Sequence, residues 1–300
     1  MPAGELSALL DGGSQLTETI YALRISNNKR LQRERIFLYI FVAFLVIAVM
    51  FPFIWILILS FKPSEDFFAW PPKVFFSPTF DHYLGLWEGE FPKSFWNSLV
   101  TSVGSTVIAL LFGVPGAYAL SRMAYKTGSR LSLFILASRM APPIAFTIPY
   151  FLAYRYIGLH DTLFGLVLIY LTFNLSLVIW LMRSFFDAIP RTLEEAAWID
   201  GATMWQGFTK IILPMSGPGL AATAILCFLY SWNDFFFALI LTRTEATTAP
   251  VAVVNFLDHE GWQWGKIAAG GTMVMMPVLV FSIAVRKFLI SGMSAGAVKG

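Results

Sequence analysis

The groups best suited to specific contacts lie between residues 190 and 214. Glu194-Glu195-Ala196-Ala197 is followed by Asp200-Gly201-Ala202-Thr203 and then by Ile211-x-Leu213-Pro214. So polar and ordered a stretch in a chain with 57% hydrophobic residues points to contact with something outside the bilayer. Thr192-Leu193-Glu194-Glu195 has the form of a capping box, with the Thr192 hydroxyl taking the Glu195 amide and the Glu195 carboxylate returning to the Thr192 amide. Thr203-Met204-Trp205-Gln206 has the same form. Leu193, Ala196 and Ala197 share one face at i, i+3, i+4 spacing, where alanines let a second backbone approach. Gly201 accepts the left-handed conformation that ends a helix, and Pro214 suits the first turn of the next. The expectation is a helix–turn–helix hairpin over 190–213. Capping boxes are common, so an ordinary helical loop also fits these residues.

A second set of polar groups sits inside apolar runs: Arg139, Thr172, Asn174, Asn233 and Asp234. An intramembrane arginine costs at least ~2.5 kcal/mol at mid-depth, so Arg139 must meet a partner or a wet cavity, or snorkel to an interface. Asp234 is the available opposite charge. Arg139, Asn174, Asn233 and Asp234 could line a pathway for hydroxyl-rich solutes, or serve as glue between helices. Gly265, Ala269 and Gly270-Gly271 fit helix packing better than solute binding. No G-x-x-x-x-G-K-[ST] phosphate loop occurs, so no nucleotide site is expected here. A single cysteine, Cys227, and three scattered histidines exclude a disulfide framework and argue against zinc. No catalytic residue, bound cofactor or metal site is expected, and no nucleic-acid partner.

The elements that position these groups follow from composition. The chain has 57% hydrophobic and 13% charged residues, against a charged fraction of ~25% in soluble domains. Several apolar runs exceed the ~18 residues read as a spanning helix. We place six spans near 36–61, 97–120, 131–151, 163–184, 214–241 and 267–286. The first lacks an A-x-A-like cleavage site and is read as retained. Pro115, Pro142-Pro143, Pro149 and Pro277 interrupt later spans, a pattern that favours a transport pathway over a simple anchor. The fold class is therefore all-α integral membrane, multi-pass, in contact with lipid.

Lys and Arg orient the chain. The amino-terminal tail (1–35) holds Arg24, Lys29, Arg30, Arg33 and Arg35; the second connection holds Arg122, Lys126 and Arg130; the fourth holds Arg183, Arg191 and Lys210; the last segment holds Arg286, Lys287 and Lys299. The alternate segments hold only Lys62, Lys73, Lys93, Arg155, Arg243 and Lys266. The positive-inside rule puts both termini and the 190–213 hairpin in the cytoplasm. The first external loop, 62–96, is rich in aromatics (Phe67, Phe68, Trp70, Phe75, Phe76, Trp87) and reads as an interfacial anchor or as a docking surface. In the amino-terminal tail, Leu16, Ile20 and Leu23 could share a face, so a membrane-surface helix and disorder both fit.

The complete spacing, Glu195-Ala196-Ala197-x3-Gly201-x9-Ile211-x-Leu213-Pro214, resembles the EAA signature of permease subunits of ATP-binding-cassette (ABC) importers. Ile189-Pro190, Glu194-Glu195-Ala196-Ala197 and Asp200-Gly201-Ala202-Thr203 resemble its carbohydrate-uptake, maltose-type branch, as do Trp232-Asn233-Asp234-Phe235 and the ending Ser294–Gly300. The resemblance covers roughly 36–300, implying a permease domain over 36–290 and a cytoplasmic tail over 291–300. It also implies that the hairpin is a coupling helix docking in a cytoplasmic ATPase dimer, which holds the ATP and magnesium. Glu195, Ala196, Ala197 and Gly201 would make that contact within the phrase that adds Glu194, Asp200 and Ala202. Ile211, Leu213 and Pro214 would tie the hairpin to span five. Gly296, Lys299 and Gly300 would reach between the ATPase subunits. The remaining implied partners are a second, non-identical permease and an external solute-binding protein, in a bacterial inner membrane. The cargo expected is a sugar, polyol or related hydroxylated solute, with anionic sugars or glycerol phosphates left open by Arg139. A secondary transporter driven by an ion gradient is the alternative; it wants an internal repeat and midplane carboxylates, and only Asp234 qualifies.

Overall fold

Away from water a single segment satisfies all its backbone N–H and C=O groups only as a helix, and the apolar runs of this chain are helical. The computed structural model describes residues 32, 34–140, 142–258 and 261–296. The expectations for Leu16, Ile20, Leu23, Lys299 and Gly300 lie outside them. In chain order the helices are α1 (Glu34–Ser60), α2 (Asp81–Trp87), α3 (Phe91–Arg122), α4 (Tyr125–Ser138), α5 (Thr147–Tyr156), α6 (Leu163–Ala188), α7 (Thr192–Ile199), α8 (Met204–Gly207), α9 (Leu213–Met215), α10 (Gly217–Trp232), α11 (Phe236–Leu241), α12 (Ala249–Val254) and α13 (Trp264–Gly296). The exception among the described residues is a small antiparallel hairpin of β1 (Leu257–Asp258) and β2 (Gly261–Trp262), pairing Leu257 with Trp262.

Four helices (α1, α3, α6 and α13) are long and apolar enough to cross a membrane, or up to six spans if each of two bent pairs is one. The bends have sequence causes. Pro142-Pro143 separates α4 from α5 at 76°. A break of 77° lies between Met215 and Gly217, with Pro218 in the first turn of α10. The apolar run 214–241 is therefore not one helix: 204–215 continues the preceding connection, and Asn233–Phe235 separates α10 from α11. Pro115 and Pro277, by contrast, sit inside continuous helices. Residues 291–296, read from sequence as tail, are the end of α13.

Two compact units divide at Ile56, within α1. In the first, α1 exposes its apolar side chains along its length, with Phe37 at 72% and Ile47 at 68%. In the second, α3 packs most extensively against α6. Asn97, Thr101, Ser105, Ala109, Gly113, Ala117 and Ser121 recur every fourth residue and are all buried, a small-residue seam of the kind that lets helices approach closely in lipid. At Gly113 a Cβ would lie 2.7 Å from Val178 Cγ1. On α10, Ser231 Oγ lies 3.0 Å from Ser105 Oγ and accepts from Asn174 Nδ2 at 2.9 Å. Trp232 Nε1 donates to the Val274 carbonyl at 3.0 Å, joining α10 to α13.

At the end of the bundle away from α7 and α8, Asp161 ties two connections together. Its backbone is left-handed (φ 59°), and its carboxylate accepts from the backbone N–H of Arg243 (2.9 Å), Thr244 (3.1 Å), Glu245 (3.1 Å) and Ala246 (3.0 Å). Burial opposes ionisation, but these four amides outweigh it and hold the carboxyl well below the ordinary carboxylate range. Lys93 pairs with Glu245 at 2.8 Å, and Asn97 Nδ2 donates to the Glu245 and Thr247 carbonyls. In the 62–96 loop Lys73 pairs with Asp66 at 2.6 Å, which raises the lysine pKa, first through the hydrogen bond and then through charge. Trp70 and Phe75 stand outward, 91% and 94% exposed.

Candidate functional site

The hairpin begins where Pro190 forces Ile189 into extended backbone, ending α6. The first expected capping box is absent. Helix α7 is entered through Arg191 in helical conformation, whose carbonyl accepts the Glu194 and Glu195 amides at 2.9 and 3.0 Å. Thr192 is thus already inside the helix and cannot cap it. The stop is as read: Gly201 has φ +86°, its N–H donates to the Trp198 carbonyl (3.0 Å), and the Ala202 N–H reaches the Ala197 carbonyl (2.9 Å). This is the paired closure of a Schellman motif. The second capping box is formed, with Gln206 N donating to Thr203 Oγ1 (3.2 Å) and Thr203 N to Gln206 Oε1 (2.9 Å).

A widened π turn, Phe208–Ile212, follows α8 and leads into α9 with its proline. Proline lacks an N–H and crowds the carbonyl four residues back; a wider turn before it relieves both problems. Ile211 and Leu213 pack on the core formed by α3, α6 and α10, while Pro214 is exposed.

Glu194 and Ala197 point inward. Glu194 is 1% exposed, and its carboxylate accepts from Arg122 Nε (2.7 Å), Arg122 Nη2 and Tyr118 Oη (2.7 Å). Arg122 also donates to the Phe186 carbonyl (3.1 Å). The Tyr118 ring lies 4.7 Å from that of Phe208, so the carboxylate and the aromatic contact hold opposite arms of the hairpin to α3. The face expected from Leu193, Ala196 and Ala197 is consequently divided: Ala197 is used internally, and Leu193 and Ala196 remain outside. Exposed on the hairpin are Glu195, Ala196, Asp200 and Gly201, together with Ile199 (87%), Met204 (64%) and Trp205 (64%). Ala202 is half-buried. Tyr118 and Arg122 were missed from sequence, although their i, i+4 spacing at the basic end of an apolar run signals a shared face.

The intramembrane set separates into two groups. Asn174 is fully buried and bonds Ser105 and Ser231, which makes it glue between α3, α6 and α10. Asn233 and Asp234 line an open cavity of about 650 Å³ with Leu226, Tyr230 and Phe236. The Asp234 carboxylate accepts from Tyr170 Oη and from the Ala238 N–H, both at 3.1 Å, and so caps α11. Arg139 does not meet Asp234: its guanidinium lies over the Tyr230 ring, 4.5 Å from the centroid. The cation is held by a ring that forms part of the cavity wall, a partner the abundance of aromatics concealed. Gly296 ends α13 as described above.

Residues 109–293, which include the hairpin and the cavity, match the family described as binding-protein-dependent transport system inner membrane component. The chain belongs to this family: it is a multi-pass inner-membrane permease subunit of an ABC transporter. It is 41% identical over 257 residues to the trehalose transport system permease protein SugB of Mycobacterium tuberculosis, covering 83% of this chain and 92% of that one. It is 36% identical over 278 residues to the probable ABC transporter permease protein y4oR of Sinorhizobium fredii, covering 92% and 100%. Among solved structures, a bacterial ABC transporter involved in the import of the acidic polysaccharide alginate aligns with a TM-score of 0.68 at 27% identity, covering 83% of this chain and 93% of that one.

Proposed function

We propose that this chain forms one half of the pathway of a carbohydrate importer, six-spanning with both termini in the cytoplasm, and that the α7–Gly201–α8 hairpin is its coupling element. ATP and magnesium belong to a separate ATPase dimer; a second permease, in a heterodimer, and an external solute-binding protein complete the assembly. The carrying observation is the hairpin: the full EAA spacing is presented on an ordered, doubly closed turn, with Glu195, Ala196, Asp200 and Gly201 outward and Ile211 and Leu213 rooted in the core. In this reading Glu194 and Ala197 hold the hairpin in place instead of touching the ATPase, and Gly296, Lys299 and Gly300 make a second contact with the ATPase subunits. The carbohydrate class is supported by the trehalose system of the 41% identical relative and by the alginate importer. Tyr230, Asn233 and Asp234 offer a ring face and polar groups in one open cavity, the combination a hydroxyl-rich solute needs. The family and the relatives lend the ion-gradient reading no support.

The test is Glu195→Lys and Gly201→Asp in the assembled transporter. Both should abolish ATP-dependent sugar uptake and release or uncouple the ATPase, while the chain stays in the membrane. A Cβ at Gly201 meets nothing within 4 Å, so the substitution adds only the cost of a left-handed residue, roughly 1–2 kcal/mol. Wild-type uptake by both variants sinks the coupling assignment.

A further inference from the structure

Six basic residues fall in segments the charge rule sends outward, and two of them, Arg155 and Arg243, line one cavity of about 420 Å³ with His160, Asp161, Phe151, Ile240 and Thr242. Neither guanidinium takes part in a hydrogen bond or ion pair among the described residues, whereas Lys73 and Lys93, in the same outward segments, are both paired. The one carboxylate in the cavity is saturated by the four backbone amides of residues 243–246 and the Thr244 hydroxyl (3.1 Å). The Thr242 hydroxyl is turned to the Ala238 carbonyl at 2.7 Å. The walls are rigidly set: the Leu159 and His160 amides both reach the Tyr154 carbonyl (2.8 and 3.2 Å), and the His160 ring stands edge-on to Phe151 at 5.3 Å. Helix α5 leads to this cavity with Ile148 (70%), Leu152 (58%) and Tyr156 (92%) exposed.

We infer that this cavity is an anion site that takes the phosphodiester headgroup of an acidic phospholipid from the outer leaflet. Two cationic forks without protein partners supply the charge and the bidentate geometry that phosphate oxygens match. Phe151 and Ile240 add apolar lining, and Ile148, Leu152 and Tyr156, exposed on the same helix, offer an apolar surface for acyl chains. A free phosphate ion would use the same guanidinium groups but would leave that apolar surface unused. The inference rests on the permease reading and its orientation.

The experiment uses the whole transporter in nanodiscs, with retained phosphatidylglycerol and phosphatidylcholine counted by native mass spectrometry. Wild type should retain phosphatidylglycerol selectively. Arg155→Gln/Arg243→Gln should lower that selectivity about thirtyfold, from about 1 kcal/mol per basic residue near the headgroups. Inorganic phosphate in large excess should leave the lipid bound. Equal retention by wild type and the double variant overturns the inference. Displacement by phosphate makes it a free-anion site, and weakened docking of the solute-binding protein with unchanged lipid retention makes it a protein contact; either result also overturns it. ATP hydrolysis by the wild-type complex, stimulated by the solute-binding protein, tests the permease reading separately.

Discussion

Replacing Glu194 by alanine removes the acceptor of three hydrogen bonds and leaves the Arg122 guanidinium, 13% exposed, without its counter-charge. Breaking a buried pair by removing one partner costs about 3–5 kcal/mol. Arg122 keeps its bonds to the Phe186 carbonyl and Ser121 Oγ, so the lower end, about 3 kcal/mol, is the better expectation. That is a factor of about 150 in the equilibrium between docked and detached hairpin. Hydrogen exchange of the Ala197–Ala202 amides in the assembled transporter reads this equilibrium directly, and should speed up by about two orders of magnitude. Glu195→Ala, at an exposed position one residue on, should leave exchange unchanged while reducing uptake. Arg122→Ala/Glu194→Ala should be less destabilised than the sum of the single variants, because no uncompensated charge remains. Glu194→Gln keeps the shape and guards against a chain that fails to fold. Unchanged exchange in both Glu194 variants would refute the claim that this pair holds the hairpin.

Asp161→Asn should lower the thermal midpoint of the purified protein by about 3 °C, from the loss of roughly 1 kcal/mol of charge-assisted bonding. The folded-state pKa is depressed, so the carboxylate's contribution is complete above its ordinary value of about 3.9 and fades as pH falls below that value. The gap between wild type and variant should therefore be constant from pH 7 to 5 and shrink only below about 4; a gap that closes at higher pH contradicts the clamp. Gly113→Ala should destabilise by about 1–3 kcal/mol, because its Cβ would fall 2.7 Å from Val178. Gly116→Ala, with nothing within 4 Å, should be neutral or stabilising; equal effects of the two in thermal aggregation would remove the close helix contact.

The hairpin shows how far local chemistry reaches. Gly201 as helix stop and the Thr203–Gln206 box were readable, because each depends on a residue's own backbone preference or on neighbours within four positions; the rooting of Ile211 and Leu213 followed only from the family resemblance, since it rests on packing against α3, α6 and α10. The Thr192 box was not, since Pro190 and Arg191 start the helix a residue earlier and remove the non-helical backbone a cap requires. Arg139 illustrates the opposite limit. Its need for a partner was plain from the cost of an intramembrane charge, yet the partner is Tyr230, from a different helix, and not the oppositely charged Asp234.

By itself the sequence determined a multi-pass α-helical membrane protein with a polar hairpin, because hydropathy and turn chemistry are properties of short windows; the permease family came from the resemblance carried by the full EAA spacing. Tertiary structure alone decided which groups of that hairpin face outward. Glu194 and Glu195 are chemically identical neighbours; about 100° of helical rotation buries one against Arg122 and Tyr118 and leaves the other exposed. It also decided that Asn174 is packing while Tyr230, Asn233 and Asp234 line a cavity. These outcomes depend on contacts between residues some 50 to 90 positions apart, and no local pattern encodes such pairings.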